Sequence, residues 1–357
     1  MPKYFKGLNT LRAFAAMIVV WGHIEYFKSE NSIPNLLDSN FFLFPSAHIA
    51  VILFFVLSGF LITYLLTKEK EKNGKISFKK FYMRRILRIW PLYYLIIIIS
   101  YLLFSADYSE CSTKTIVLSL TILPNIAHAL GEGWPYSPQI WSIGAEEQFY
   151  LLWPVLFSII PEKKLILALF LFFVGYTILP NVLGKIYPNE EFKTTVFQLF
   201  YTTKFNCMAI GAALGYSLGK GKRWINILNN DIIAFGSLLL AFGLWFFKFE
   251  SKYFTDEIFA IIFAIMLIGV VNNRKINIDT KVSTFLGKIS YGIYMYHWII
   301  ILLVTKYIKY NGDTASYNFL LYSTVILLTI LVSWISYSTV EKFFLNLKHN
   351  FEVKYNK

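Results

Sequence analysis

Ten stretches of this chain are apolar over nearly the thickness of a bilayer, and this repetition restricts the fold more than any other feature. They cover residues 11–27, 49–66, 86–104, 141–160, 165–183, 197–218, 230–247, 258–271, 289–305 and 317–340. A helix crosses the hydrocarbon core with about 20 residues, or somewhat fewer where neighbours thin the bilayer. Charged or turn-rich stretches, such as KEKEKNGK, PEKK, GKGKR, NNRK and YNGD, separate them. The chain is 56% hydrophobic, 15% charged and 19% aromatic, with a mean hydropathy of +0.53. A soluble domain is closer to a quarter charged. The expectation is an all-α integral membrane protein of about ten transmembrane helices. It forms a single membrane domain over 1–345, followed by a short basic cytoplasmic tail over 346–357.

Lys and Arg set the orientation. With the N-terminus inside, 25 of the 34 fall in inner segments and 8 in outer ones, while Lys204 lies within a span. Both termini are therefore expected to be cytoplasmic. A net charge of +13 can signal nucleic acid. Here it is spread over six inner segments, which points to a lipid bilayer and against a nucleic-acid partner. The basic start MPKYFKGLNTLR resembles a signal peptide, but no small-x-small cleavage site follows, so a retained first helix is expected. The stretch TKTIVLSLTILPNIAHAL (113–130) is long enough to cross. If it did, PEKK and GKGKR would lie outside, so an outer or re-entrant helix is expected instead. Cys111 and Cys207 form neither a metal spacing nor a disulfide framework, and no metal is expected.

The informative residues are polar groups inside apolar runs. LRAFAAMIVVWGHIEYF (11–27) keeps Arg12, His23 and Glu25. Arg12 and His23 are eleven positions apart, close to three turns, so they share a helix face with a rise of about 16 Å between them. Arg12 falls at the cytoplasmic edge and His23 about a turn below the outer edge. Taken singly, Arg12 reads as a snorkelling anchor and His23 as an interhelical hydrogen-bonding group. Their shared face favours a functional reading, since ionisable groups inside spans usually mark sites.

FYMRRILRIWPLYY (81–94) places Arg84, Arg85 and Arg88 at the cytoplasmic start of the third span. Arg88 can share a face with either of the other two. Guanidinium forks suit phosphates, although membrane anchoring competes as an explanation. WSIGAEEQFYLLWP (141–154) buries Glu146 and Glu147 at a depth expected to match that of His23. Adjacent residues point about 100° apart, so one glutamate would face the histidine, orienting it and stabilising its protonated form. Ser58-Gly59 reads as close helix packing rather than a nucleophile. His297 in YGIYMYHWI is either packing or catalytic, and Lys204 needs a carboxylate or a ligand anion.

These stretches together resemble the membrane acyltransferase-3 family of bacterial O-acyltransferases, which acetylate surface polysaccharides. LNTLRAFAAMIVVWGH matches the first-helix pattern of a basic residue, ten residues, then His. FFVLSGFLIT, FYMRRILRIWPLYY, WSIGAEEQFYLLWP, ISYGIYMYHW and VEKFF follow in the family's order. The resemblance implies that His23 is the catalytic histidine and Arg12 its basic partner. It implies that Arg85 and Arg88 serve acyl-CoA, and that Glu146 and Glu147 are the family's paired glutamates. Ile52 stands where many relatives carry Asp, and Lys204 and Asn206 where Arg and Asp are usual. Gly144 replaces a frequent Ser, and Phe343 a frequent Pro. The soluble hydrolase-like domain fused to some relatives is not expected here.

The expected activity is transfer of an acyl group, acetyl above all, from cytoplasmic acyl-CoA to a hydroxyl of a surface or exported glycan or lipid-linked saccharide. It would take place in the bacterial cytoplasmic membrane. His23 would act as general base, held by Glu147 or Glu146, or through an acyl-histidine intermediate. Arg12, Arg85 and Arg88 would bind the CoA (acetyl-CoA) phosphates, and Lys204 and His297 are assigned to substrate binding. The alternative is a carrier or flippase for a lipid-linked glycan or small anion. The absence of an inverted repeat and of paired broken helices counts against it.

Overall fold

The computed structural model describes residues 5–36, 45–106, 111–187, 189–251, 253–273 and 275–351. All regular structure among them is helical, as expected. The helices are α1 (Leu8–Glu30), α2 (Ala47–Asn73), α3 (Phe78–Phe104), α4 (Thr113–Leu120), α5 (Pro124–Ala129), α6 (Ile140–Ile159), α7 (Leu165–Ile186) and α8 (Glu190–Thr203). They continue with α9 (Phe205–Gly219), α10 (Ile225–Leu228), α11 (Asp231–Phe246), α12 (Thr255–Asn272), α13 (Lys281–Lys288), α14 (Ser290–Tyr307) and α15 (Thr314–Ser336). A π-helical turn, Tyr337–Glu341, joins α15 to α16 (Lys342–Lys348). Ser112, Asn189, Asn230 and Asp313 cap four of the N-termini by accepting from backbone N–H groups. Of the basic tail expected over 346–357, residues 352–357 lie outside the described residues.

Nine of the ten apolar stretches overlie a single helical run. Length and apolarity alone do not bear out all ten as bilayer-crossing helices among the described residues. Five described runs are long and apolar enough to cross: α2, α3, α7, α12 and the run from α15 onward. The pair α13 and α14, bent by 70°, makes a sixth. The shortfall has physical causes. The 16 residues of α11 rise about 24 Å, less than the hydrocarbon thickness. Helices α1 and α6 carry the charged groups on which a site would be built.

The tenth stretch, 197–218, is broken. Lys204 is in the left-handed region (φ 48°) and separates α8 from α9. For a residue with a Cβ this conformation is strained, and irregular backbone at such depth is tolerated where it is enclosed by protein or lines a cavity. A second bend, at Ile289, lies at the start of the stretch 289–305, where α13 meets α14. Residues 113–130 form α4 and α5, of 8 and 6 residues, each too short to cross.

α2 is the central helix, with buried residues on every face, whereas α7 and α15 expose most of their apolar side chains on the outer surface of the bundle. The closest approach in the core is between α2 and α9. A Cβ on Gly59 would collide with the Met208 carbonyl, and one on Gly211 with the Val56 carbonyl. Ser58-Gly59 is therefore a packing site, and α9 brings its own glycine to the same contact. Ions fasten the ends of these helices. Lys220, just past α9, donates to Glu162 at 2.8 Å, which holds that carboxyl below the usual carboxylate range, and Lys68 at the end of α2 donates to the Gly219 carbonyl at 2.5 Å. Replacing Gly211 by Leu should force α2 and α9 apart, and about 1–3 kcal/mol of destabilisation is expected. A thermal-shift measurement on purified protein, beside Gly175→Leu, where a Cβ meets nothing, checks it.

Candidate active site

Two cavities follow one another along the bundle, and the same four helices line both. On α1, Arg12 lines one and Val19, Gly22, His23 and Tyr26 the other. On α14, Tyr291 lines the first, Trp298 the second, and Tyr294 both. α2 and α6 run the opposite way and contribute in reverse order: His48 then Ser58, and Trp141 then Glu146. The cavities are therefore arranged end to end.

The smaller cavity, of about 100 Å³, collects Arg12, Arg85, Arg88, Ser58, Glu146 and Tyr150. The ambiguity over the arginines is resolved here. Arg85 and Arg88 face the cavity, while Arg84 turns away to Glu69 (3.2 Å) and the Phe351 carbonyl (2.9 Å). Arg85 lies against the rings of Phe81 and Tyr150, with centroids 5.9 and 5.7 Å away, and its Nε has no hydrogen-bond partner among the described residues. Three guanidiniums against one lining carboxylate make this an anion-favouring pocket.

The larger chamber is about 950 Å³, at the upper end of ordinary ligand sites. His23 stands at its base. His23 Nδ1 lies 2.6 Å from His297 Nε2, the rings are stacked with centroids 4.9 Å apart, and Trp298 meets His23 edge-on. His297 is fully buried.

The glutamate partner expected for His23 is not found: among the described residues its ring partner is His297. Glu146 instead accepts from Ser58 at 2.5 Å, and Glu147 from the Trp90 indole N–H at 2.7 Å. The reason is depth. α6 begins at Ile140, within a residue of the expected start. Glu146 and Glu147 then lie about 9–11 Å along its axis, at the level of the arginines. Glu25, the third polar residue of the first helix, is structural. It is fully buried, accepts from Lys28 at 2.7 Å, and also accepts from Tyr322 and the Leu36 N–H.

Lys204 lines the large chamber and pairs with Asp256. The other carboxylate oxygen of Asp256 faces His48 Nε2 at 2.9 Å, and His48 Nδ1 meets the Tyr201 hydroxyl at 2.9 Å. Asn206 donates to Glu257 at 2.7 Å. His48 and Asp256 escaped the sequence reading because each sits one or two residues outside an apolar run. No group of three or more metal-ligating side chains occurs among the described residues.

The acyltransferase-domain family profile matches residues 5–338. The chain is similar to the peptidoglycan O-acetyltransferase OatA of Listeria monocytogenes, 27% identical over 86% of this chain and 51% of that protein. It is similar also to the O-acetyltransferase OatA of Staphylococcus aureus, 25% identical over 95% of this chain and 57% of that protein. The chain thus spans about half the length of the curated relatives it matches. No solved structure matches it. With a family profile covering nearly its whole length, the chain belongs to the acyltransferase-3 family.

Proposed function

We propose that this protein is a multi-pass O-acyltransferase of a bacterial cytoplasmic membrane, moving an acetyl group from cytoplasmic acetyl-CoA to a hydroxyl of a surface or exported glycan. One observation carries the reading: an arginine-lined cavity and a histidine-based chamber lie end to end along the bundle. Family membership supports the reaction class, and the relatives' names support a cell-wall saccharide acceptor. The excess of Lys and Arg supports placing the arginine end in the cytoplasm.

In this mechanism Arg12, Arg85 and Arg88 bind the CoA phosphates, and Glu146 and Glu147 keep the arginine cluster in place as positioning residues. The donor's arm extends toward His23, over a distance set by the three helical turns between Arg12 and His23. The acceptor sits in the large chamber, with Lys204 in its wall. With His297 Nε2 accepting, His23 Nδ1–H donates to it, and His23 Nε2 presents its lone pair to the acceptor hydroxyl. That oxygen attacks the thioester carbonyl as His23 takes its proton. The C–S bond breaks, the ester forms, and the proton passes to the departing thiolate. His297 acts as a positioning residue. A carrier is the second reading, favoured by the break at Lys204. Release of free CoA by purified protein distinguishes the two, because a carrier releases none.

His23→Ala should abolish transfer while the protein still inserts, and His23→Gln should fail as well, because an amide accepts no proton at neutral pH. Wild-type rates with Gln would make His23 structural. His297→Phe should lower kcat about 10²-fold, the scale of an ångström's misplacement, with donor affinity unchanged; steady-state kinetics beside acetyl-CoA binding reads this. Arg85→Ala and Arg88→Ala should each weaken donor binding about tenfold or more, with partial rescue by Lys. Arg84→Ala should not, because its guanidinium is already bonded to Glu69 and the Phe351 carbonyl. Equal affinities across the three alanine variants would return these arginines to membrane anchoring.

A further inference from the structure

The wall between the two cavities has no part in the transfer described above, yet a donor held by the arginines can reach His23 only through it. Val51 and Tyr294 line both sides. Tyr294 is buried, and its ring meets Phe54 at 5.9 Å and His297 at 5.8 Å between centroids. Its hydroxyl lies 2.7 Å from Ser142 Oγ and donates to the Gln139 carbonyl at 3.2 Å. That carbonyl is fixed independently, since the Gln139 side chain donates to the Met295 carbonyl at 3.0 Å. Ser142 also reaches the Gln139 carbonyl, at 3.2 Å. The plug is therefore an aromatic ring latched by one hydroxyl, with a hydroxyl and a carbonyl that stay behind if the ring moves.

The arm of an acyl-CoA is a slender chain of methylenes and secondary amides. In a water-poor passage each amide needs a donor and an acceptor from the wall. Ser142 and the Gln139 carbonyl supply one of each once Tyr294 has turned aside. We propose that Tyr294, Ser142 and the Gln139 carbonyl form a closed amide-binding constriction, in which the Tyr294 hydroxyl stands where an amide of the pantetheine arm binds. This rests on acyl-CoA being the donor. In the empty protein the tyrosine keeps the two cavities apart. When the arm arrives, it displaces the ring and takes over its hydrogen bonds: the amide N–H donates to the Gln139 carbonyl, and Ser142 donates to the amide oxygen. The arm then occupies the opening it has made.

The test uses the full chain in proteoliposomes holding a pH gradient, together with acetyl-CoA binding. Tyr294→Ala should collapse a gradient that the wild type holds, and a non-transferable thioether analogue of acetyl-CoA should slow that leak. Tyr294→Phe keeps the ring, so the vesicles should stay tight. It lacks the latch, however, so donor affinity should rise by about fivefold, the worth of one neutral hydrogen bond. A tight Tyr294→Ala vesicle, or unchanged affinity in Tyr294→Phe, overturns the constriction. Wild-type protein that binds no acetyl-CoA overturns the donor reading instead, whatever the vesicles do.

Discussion

An ionisable side chain inside a bilayer must be surrounded by partners, and this requirement organises the protein. Arg12 and His23 cannot face lipid, so the face of α1 that bears them must be enclosed. α2, α3, α6 and α14 enclose it, and each brings a polar group at the matching depth: Ser58, Arg85 and Arg88, Glu146, and His297. The apolar faces left over turn outward, as on α7 and α15. The bundle is thus polar along one internal line and apolar outside, the reverse of a soluble helical domain.

Much of this was legible in the sequence. Apolar runs mark helices because lipid leaves the backbone few alternatives, and the eleven-residue interval puts Arg12 and His23 on one face whatever surrounds them. What a period of 3.6 cannot supply is the rotation and depth of one helix against another. One of the two glutamates was expected beside His23, but they bond Ser58 and Trp90 instead, and His297 takes the place. The choice between Arg84 and Arg85 likewise depended on where Glu69 and the chain near Phe351 lie. The break at Lys204 has no Gly or Pro to announce it, and its mark in the sequence is the polar group Thr202, Thr203, Lys204 and Asn206 inside an apolar stretch. Its partner Asp256, and the His48 that faces the same carboxylate, sat just beyond the runs that were counted.

The charges are distributed unevenly along the internal line. The arginine end carries three guanidiniums against one lining carboxylate. At the other end Lys204 is matched by Asp256, and Asn206 by Glu257. An anion is thus favoured at one end and not at the other, where Glu250, Asp256 and Glu257 outnumber Lys204 and Lys248 in the lining. Between them stand an imidazole pair and a tyrosine.

His23 and His297 are separated by 274 positions, and Tyr294 comes from the same late helix as His297. The chain is made from its N-terminus and its early helices enter the bilayer first. α1 and α2 therefore reside in the membrane for most of synthesis without α14 beside them. The internal line is incomplete during that time. When it forms, the helix that completes the imidazole pair also brings the ring that closes the passage.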